Sequence, residues 1–179
     1  MCSISPDERA SVAEEATIES GSANSGALER GDETLRSHPY RYIGCFFDST
    51  ELGALVADVR TAALECPTRF PHVTYAYRPE QVDELLFGIP VEVTAIGYGN
   101  DGRTEGLRIE LSCTDSTVTQ MARKIATPHI TLSTAAGVEP VETRNLDFQP
   151  LEQPFTFVGL FGGYRKDEDR VVLQPPTSD

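Results

Sequence analysis

The chain has 179 residues, 39% of them hydrophobic, and a formal net charge of −13. That length suits one domain with a core large enough to be stable alone. That charge repels long nucleic acid and anionic membranes, so any phosphate the protein takes must be held by a local site.

Residues 1–37 are rich in Ser, Glu, Ala and Gly, with almost no large apolar side chain. Such a segment buries too little surface to offset the entropy of ordering, and it reads as a disordered acidic leader. It lacks the basic region followed by an apolar run of a signal peptide. Nor does any stretch of the chain approach the roughly 20 apolar residues that cross a bilayer. The four cysteines lack the spacing of a zinc site or a disulfide framework. Cys45 and Cys113 lie in apolar segments and read as small buried hydrophobes. The expectation is a reduced, cytoplasmic monomer with no cofactor and no metal site.

The folded domain is expected over 38–175, with a tail at 176–179. "YRYIGCFFD" (Tyr40 to Asp48) reads as a strand, and Asp-Ser-Thr after it is a helix start signal. Leu52, Leu55, Val56, Val59 and Leu64 then recur near helical spacing, which predicts an amphipathic helix from Thr50 to Leu64, ended by Cys66-Pro67. Phe70 to Tyr77 is a strand, and "RPEQVDELLFG" a short helix or turn. "VEVTAIGYG" (Val91 to Gly99) alternates as a half-buried strand does. "NDGR" turns it into the returning strand Thr104 to Ser112. "TDSTVTQMARK" is a loop or short helix. His129 to Thr134 is another strand, and the connection after it holds at most one helical turn. Phe155 to Arg165 and Arg170 to Gln174 form a last hairpin around "KDED". The fold class is α+β, mostly antiparallel strands with a few helices.

Two of these strands share a pattern. "FPHVTYAY" and "TPHITLS" both read Pro-His-β-branched-Thr, and they use two of only three histidines. The third, His38, sits at the edge of the leader and reads as incidental. Side chains two apart on a strand share a face, so His72 projects with Thr74 and His129 with Thr131. If both strands face one cleft, two imidazoles and two hydroxyls converge. Hydroxyls can donate to the non-bridging oxygens of a phosphodiester, while one histidine takes a proton from water and the other protonates the leaving oxygen. Histidine titrates near pH ~6.5, so both forms are within reach. Tyr75 and Tyr77 have the opposite parity and are assigned to the other face. Phe161, Gly162, Gly163 and Tyr164 in "GLFGGYR" are the substrate-binding candidates, the aromatics for stacking on a base and the glycines for backbone approach to phosphate. "GYGNDG" reads as a hairpin turn and not as a phosphate loop, because no helix follows it.

Two His-x-Thr strands in a small α+β chain resemble the two-histidine (2H) phosphoesterases. "HITLSTAAGVEPVETRNLDF" and "FTFVGLFGGYR" look like the corresponding regions of the 2′,3′-cyclic-nucleotide 3′-phosphodiesterase-like proteins among them. The resemblance covers Tyr40 to about Leu173. It implies a bilobed fold of two antiparallel sheets with pseudo-twofold symmetry about a central cleft, and no metal. It implies hydrolysis of nucleoside or RNA-terminal 2′,3′-cyclic phosphates to 2′-phosphates, with His72, Thr74, His129 and Thr131 as the catalytic set. The implied partner is a nucleotide or short RNA terminus, not long nucleic acid or a membrane. Other substrates stay open: RNA ends in repair, 2′–5′ linkages or cyclic oligonucleotide signals. So does a module that binds nucleotide without turnover.

Overall fold

The structure is a computed structural model that describes residues 39–175; the expectations for the leader, for His38 and for the tail at 176–179 lie outside the described residues. Eight strands follow in chain order: β1 (Tyr40–Phe46), β2 (Cys66–Pro67), β3 (His72–Tyr77), β4 (Pro90–Asn100), β5 (Thr104–Ser112), β6 (His129–Thr134), β7 (Gln149–Arg165) and β8 (Arg170–Val172). Two short helices, α1 (Ser49–Val56) and α2 (Ser116–Ala122), and two 3-10 segments, Glu84–Leu86 and Pro140–Asn145, connect them. The fold is α+β, mostly antiparallel sheet with few helices. The strands are hydrogen-bonded into one sheet of order β2-β6-β5-β4-β7-β1-β3, with β8 added on β7.

Along the inner strands, burial alternates as a sheet with one covered face requires. Val91, Val93 and Ala95 on β4, Leu107 and Ile109 on β5, and Phe157 and Phe161 on β7 enter the core with Cys45, Val73 and Ile130. Leu52 and Val56 of α1 and Val118 of α2 cover that face. The opposite face carries His72, His129 and their neighbours, and the 3-10 segment Pro140–Asn145 packs on it against β5 and β6. Cys45 is fully buried as expected, whereas Cys113 is half-buried.

The chain repeats itself in space. β1-α1-β3 and β5-α2-β6 are each a strand, a helix and an antiparallel partner strand. Both helices open on Asp-Ser-Thr. Asp48 accepts from the backbone N–H groups of Thr50 and Glu51, and Asp115 from those of Thr117 and Val118, each capping orphan donors of a first turn. Phe47 N–H donates to the Pro71 carbonyl and Ile109 N–H to the Pro128 carbonyl. Each pair carries a bulge just past the histidine motif. On β3 the extra residue is Tyr75, between the pairs Gly44↔Thr74 and Ile43↔Ala76. On β6 it is Leu132, between Gly106↔Thr131 and Glu105↔Ser133. Glycine is needed opposite each threonine: a Cβ on Gly44 would strike the Val73 carbonyl, and one on Gly106 would sit 2.6 Å from the Ile130 carbonyl.

The predicted helix from Thr50 to Leu64 is corrected: it stops at Val56. Beyond it, Arg60 makes two hydrogen bonds to the fully buried Glu105, through Nε at 2.7 Å and Nη2 at 2.5 Å. Tyr98 and Ser133 hydroxyls also donate to that carboxylate. The N–H of Thr61 then donates to the Tyr98 hydroxyl and that of Leu64 to Ser133 Oγ. The sheet's side chains take over donors that further helix would have used, and Cys66-Pro67 becomes an edge strand on β6.

Candidate functional site

β3 and β6 stand near opposite ends of the strand order, yet they come into contact, so the sheet curls until its two histidine strands meet. In each, the histidine follows a proline, and its Nδ1 lies 2.7 Å from the carbonyl two residues back: Phe70 for His72, Thr127 for His129. A carbonyl only accepts, so Nδ1 carries the hydrogen and Nε2 keeps its lone pair. Among the described residues neither Nε2 has a hydrogen-bond partner. This is the reason for proline in the motif: its fixed φ aims the preceding carbonyl back at the ring.

Both histidines titrate below the ordinary range. For His72 burial is the larger cause, partly offset by the Phe70 carbonyl, and the charge of His129 lowers it further. For His129 burial again leads, opposed by the Thr127 carbonyl, and Arg108 and Arg144 push it down further.

The surroundings of the two rings differ. His72 is stacked on Tyr42, with ring centroids 4.4 Å apart and planes at 16°, and tilted against Phe46 at 5.5 Å. Tyr164 stacks on the far side of Tyr42 at 5.0 Å. His129 instead pairs across the β5–β6 ladder with Arg108. Phe46 and Arg108 are equivalent positions of the repeat, facing His72 and His129 respectively. The surroundings of His72 are therefore aromatic and those of His129 cationic. Arg108 and Arg144 have no carboxylate partner among the described residues, which leaves both free for an anion.

The threonines also differ. Thr74 is exposed and its hydroxyl has no protein partner among the described residues. Thr131 is 8% exposed; its Oγ1 donates to the Pro140 carbonyl at 3.1 Å and lies 3.0 Å from Thr143 Oγ1. The 3-10 segment Pro140–Asn145 thus holds the second threonine, while the first is open to a ligand.

Of the substrate-binding candidates, Tyr164 joins the aromatic row, its hydroxyl donating to Asp169 at 3.0 Å. Phe161 is corrected: it is 1% exposed and packs in the core against Tyr75 and Phe87. Gly162 and Gly163 are corrected too. The space where a Cβ would stand is filled at Gly162 by the Val172 carbonyl and Leu173, and at Gly163 by the Tyr40 ring. These glycines serve close packing, and neither offers its backbone to a phosphate. Tyr77 is the third correction. The Tyr75 bulge shifts parity by one, so Tyr77 pairs with Tyr42 and shares the face of His72. The sequence offers Arg103, Arg108, Arg123, Lys124, Arg144 and Arg165 as scattered cations, one or two of which could guide an anionic substrate, without singling out Arg108. Arg108 pairs with His129 in the β5–β6 ladder, a register that no local turn in the sequence sets. No three His, Cys, Asp or Glu side chains among the described residues form a metal cage, and no described helix is long and apolar enough to cross a membrane. The chain matches no model of a known protein family and no curated protein.

Proposed function

We propose that this protein is a 2H-type phosphodiesterase that hydrolyses 2′,3′-cyclic phosphates, of nucleosides or RNA ends, to 2′-phosphates. On this reading its single curled sheet corresponds to the two lobes of that fold, joined through the β4–β7 pair. The observation that carries the reading is the matched pair of histidines. Two distant strands meet, each ring is oriented by the same carbonyl bond, and each keeps one free nitrogen.

Water attacks phosphorus opposite O3′. One imidazole takes the proton from the water at Nε2, and the other gives a proton from Nε2 to O3′ as the P–O3′ bond breaks. The product is a 2′-phosphate with a free 3′ hydroxyl. Arg108, Arg144 and the Thr74 hydroxyl receive the non-bridging oxygens, stabilising the charge that develops there. The aromatic row at His72 takes the nucleoside. A protein built only to bind nucleotide needs no second imidazole with a free nitrogen, which favours turnover over a binding module.

Incubation of the full chain with 2′,3′-cyclic AMP tests this. The expected product is 2′-AMP, formed in the presence of a chelator. No product, or 3′-AMP as the product, contradicts the scheme.

A further inference from the structure

Tyr77 and its neighbours are not used by the chemistry above. Tyr77 is 54% exposed, and the guanidiniums of Arg41 and Arg78 lie over its ring, 5.5 and 5.4 Å from the centroid. Neither arginine meets a carboxylate among the described residues, although the chain has 28 acidic residues against 15 basic ones. Arg78 is held at φ +47°, in the left-handed region that a residue with a Cβ seldom adopts. Its N–H donates to the Arg41 carbonyl at 2.7 Å, which keeps the two arginines together.

The place of this cluster points to its ligand. Tyr77 pairs directly with Tyr42, and Tyr42 stacks on His72. The cluster is therefore one ring away from the proposed nucleoside position, on the same face. In the other half of the repeat the equivalent pair is Thr104↔Thr134, 1% and 6% exposed. The ledge is thus built on one half only and is not a by-product of the repeat.

We propose that Arg41, Tyr77 and Arg78 bind the nucleotide that precedes the terminal cyclic phosphate of an RNA strand. The inference rests on the hydrolysis reading and deepens it: a short oligonucleotide end is the preferred substrate over a free mononucleotide. An exposed ring accepts a base of any kind, and paired cations accept the linking phosphate, the combination by which single strands are held without sequence readout. Two guanidiniums suit one or two phosphates. The surrounding negative charge keeps longer nucleic acid away.

The test compares a trinucleotide ending in a 2′,3′-cyclic phosphate with 2′,3′-cyclic AMP. The full chain should show a kcat/KM at least about tenfold higher for the trinucleotide, a ratio that Tyr77→Ala lowers about tenfold, from the range found for base–aromatic stacking. For binding of the trinucleotide product ending in a 2′-phosphate, Arg41→Gln with Arg78→Asn should flatten the dependence of log affinity on log salt by about 0.7 to 1.4, for one or two phosphate contacts to a single strand. Equal rates on the two substrates, or equal losses in Tyr77→Ala, overturn the ledge. So does tighter binding of a glutamate-rich peptide than of the trinucleotide. If neither substrate is turned over, product binding decides: Tyr77-dependent binding sustains the ledge while the hydrolysis reading fails, and its absence overturns the ledge as well.

Discussion

The two halves of the cleft share a backbone and differ in almost every side chain around it. In both, a proline sets a carbonyl against Nδ1, a glycine sits opposite the threonine, and a bulge follows. Around His72 stand Tyr42, Phe46 and Tyr164, with an open Thr74. Around His129 stand Arg108 and Arg144, with Thr131 tied to Thr143 and Pro140, and the Glu105 network behind the strand. The shared part is what acid–base chemistry requires of a histidine: orientation and a free nitrogen. On the proposed reading, the differing part serves an unsymmetrical substrate, with a flat face for a base at one end and positive charge for a phosphate at the other.

The comparison breaks first if the shared part is not shared. His72→Ala and His129→Ala should each lower kcat by about 10²–10⁴-fold, the usual contribution of a general acid or base. Rates on 2′,3′-cyclic AMP measure this, and near-normal turnover by either variant removes one half from the chemistry.

The next effect is on stability and belongs to the His129 half alone. Glu105→Ala strips the carboxylate from Arg60, Tyr98 and Ser133, and leaving a partner of a buried pair unmatched costs about 3–5 kcal/mol. Arg60 is 26% exposed on its side chain, so the lower end is expected in denaturant unfolding. A loss under 1 kcal/mol shows that the network does not brace β6.

The threonines sharpen the contrast. Thr131→Val should cost about 1–3 kcal/mol of stability, because it deprives Pro140 and Thr143 of a buried partner. Thr74→Val, at an exposed position, should leave stability within about 0.5 kcal/mol and weaken catalysis instead. Identical behaviour of the two variants contradicts the asymmetry.

The smallest effect is with pH. Both folded histidines sit below the unfolded value of about 6.5, so the unfolded chain binds more protons as pH falls through that value. Stability is then full above about pH 6.5 and declines below it until the folded rings also protonate. The kcat/KM profile should peak on the acid side of 6.5 for the same reason. Unfolding at several pH values checks the first and initial rates the second; a stability that rises on acidification reverses the sign and rejects the burial argument.

Much of this was legible in the sequence, and the misses have physical causes. Strand β5 and the Asp-Gly turn before it follow from alternation and turn chemistry, which act locally. The paired His-x-Thr strands were legible because a strand's period of two fixes their common face. The end of α1 was not, because Arg60 and the N–H groups of Thr61 and Leu64 bond to side chains 37 or more residues later in the chain. Tyr77 was placed on the wrong face because a bulge at Tyr75 leaves no mark in composition. Phe161 could have been excluded beforehand: it continues the odd-numbered apolar series Phe155, Phe157, while Tyr164 has the opposite parity.

The central claim is that one anion sits between both rings, and imidazole titration by NMR tests it most directly. In the free protein both His72 and His129 should titrate below 6.5, and addition of 2′-AMP should raise both, since a nearby negative charge favours each protonated ring. A rise in one histidine only, with the other unmoved, would mean that the two do not flank the same phosphate and would contradict the account.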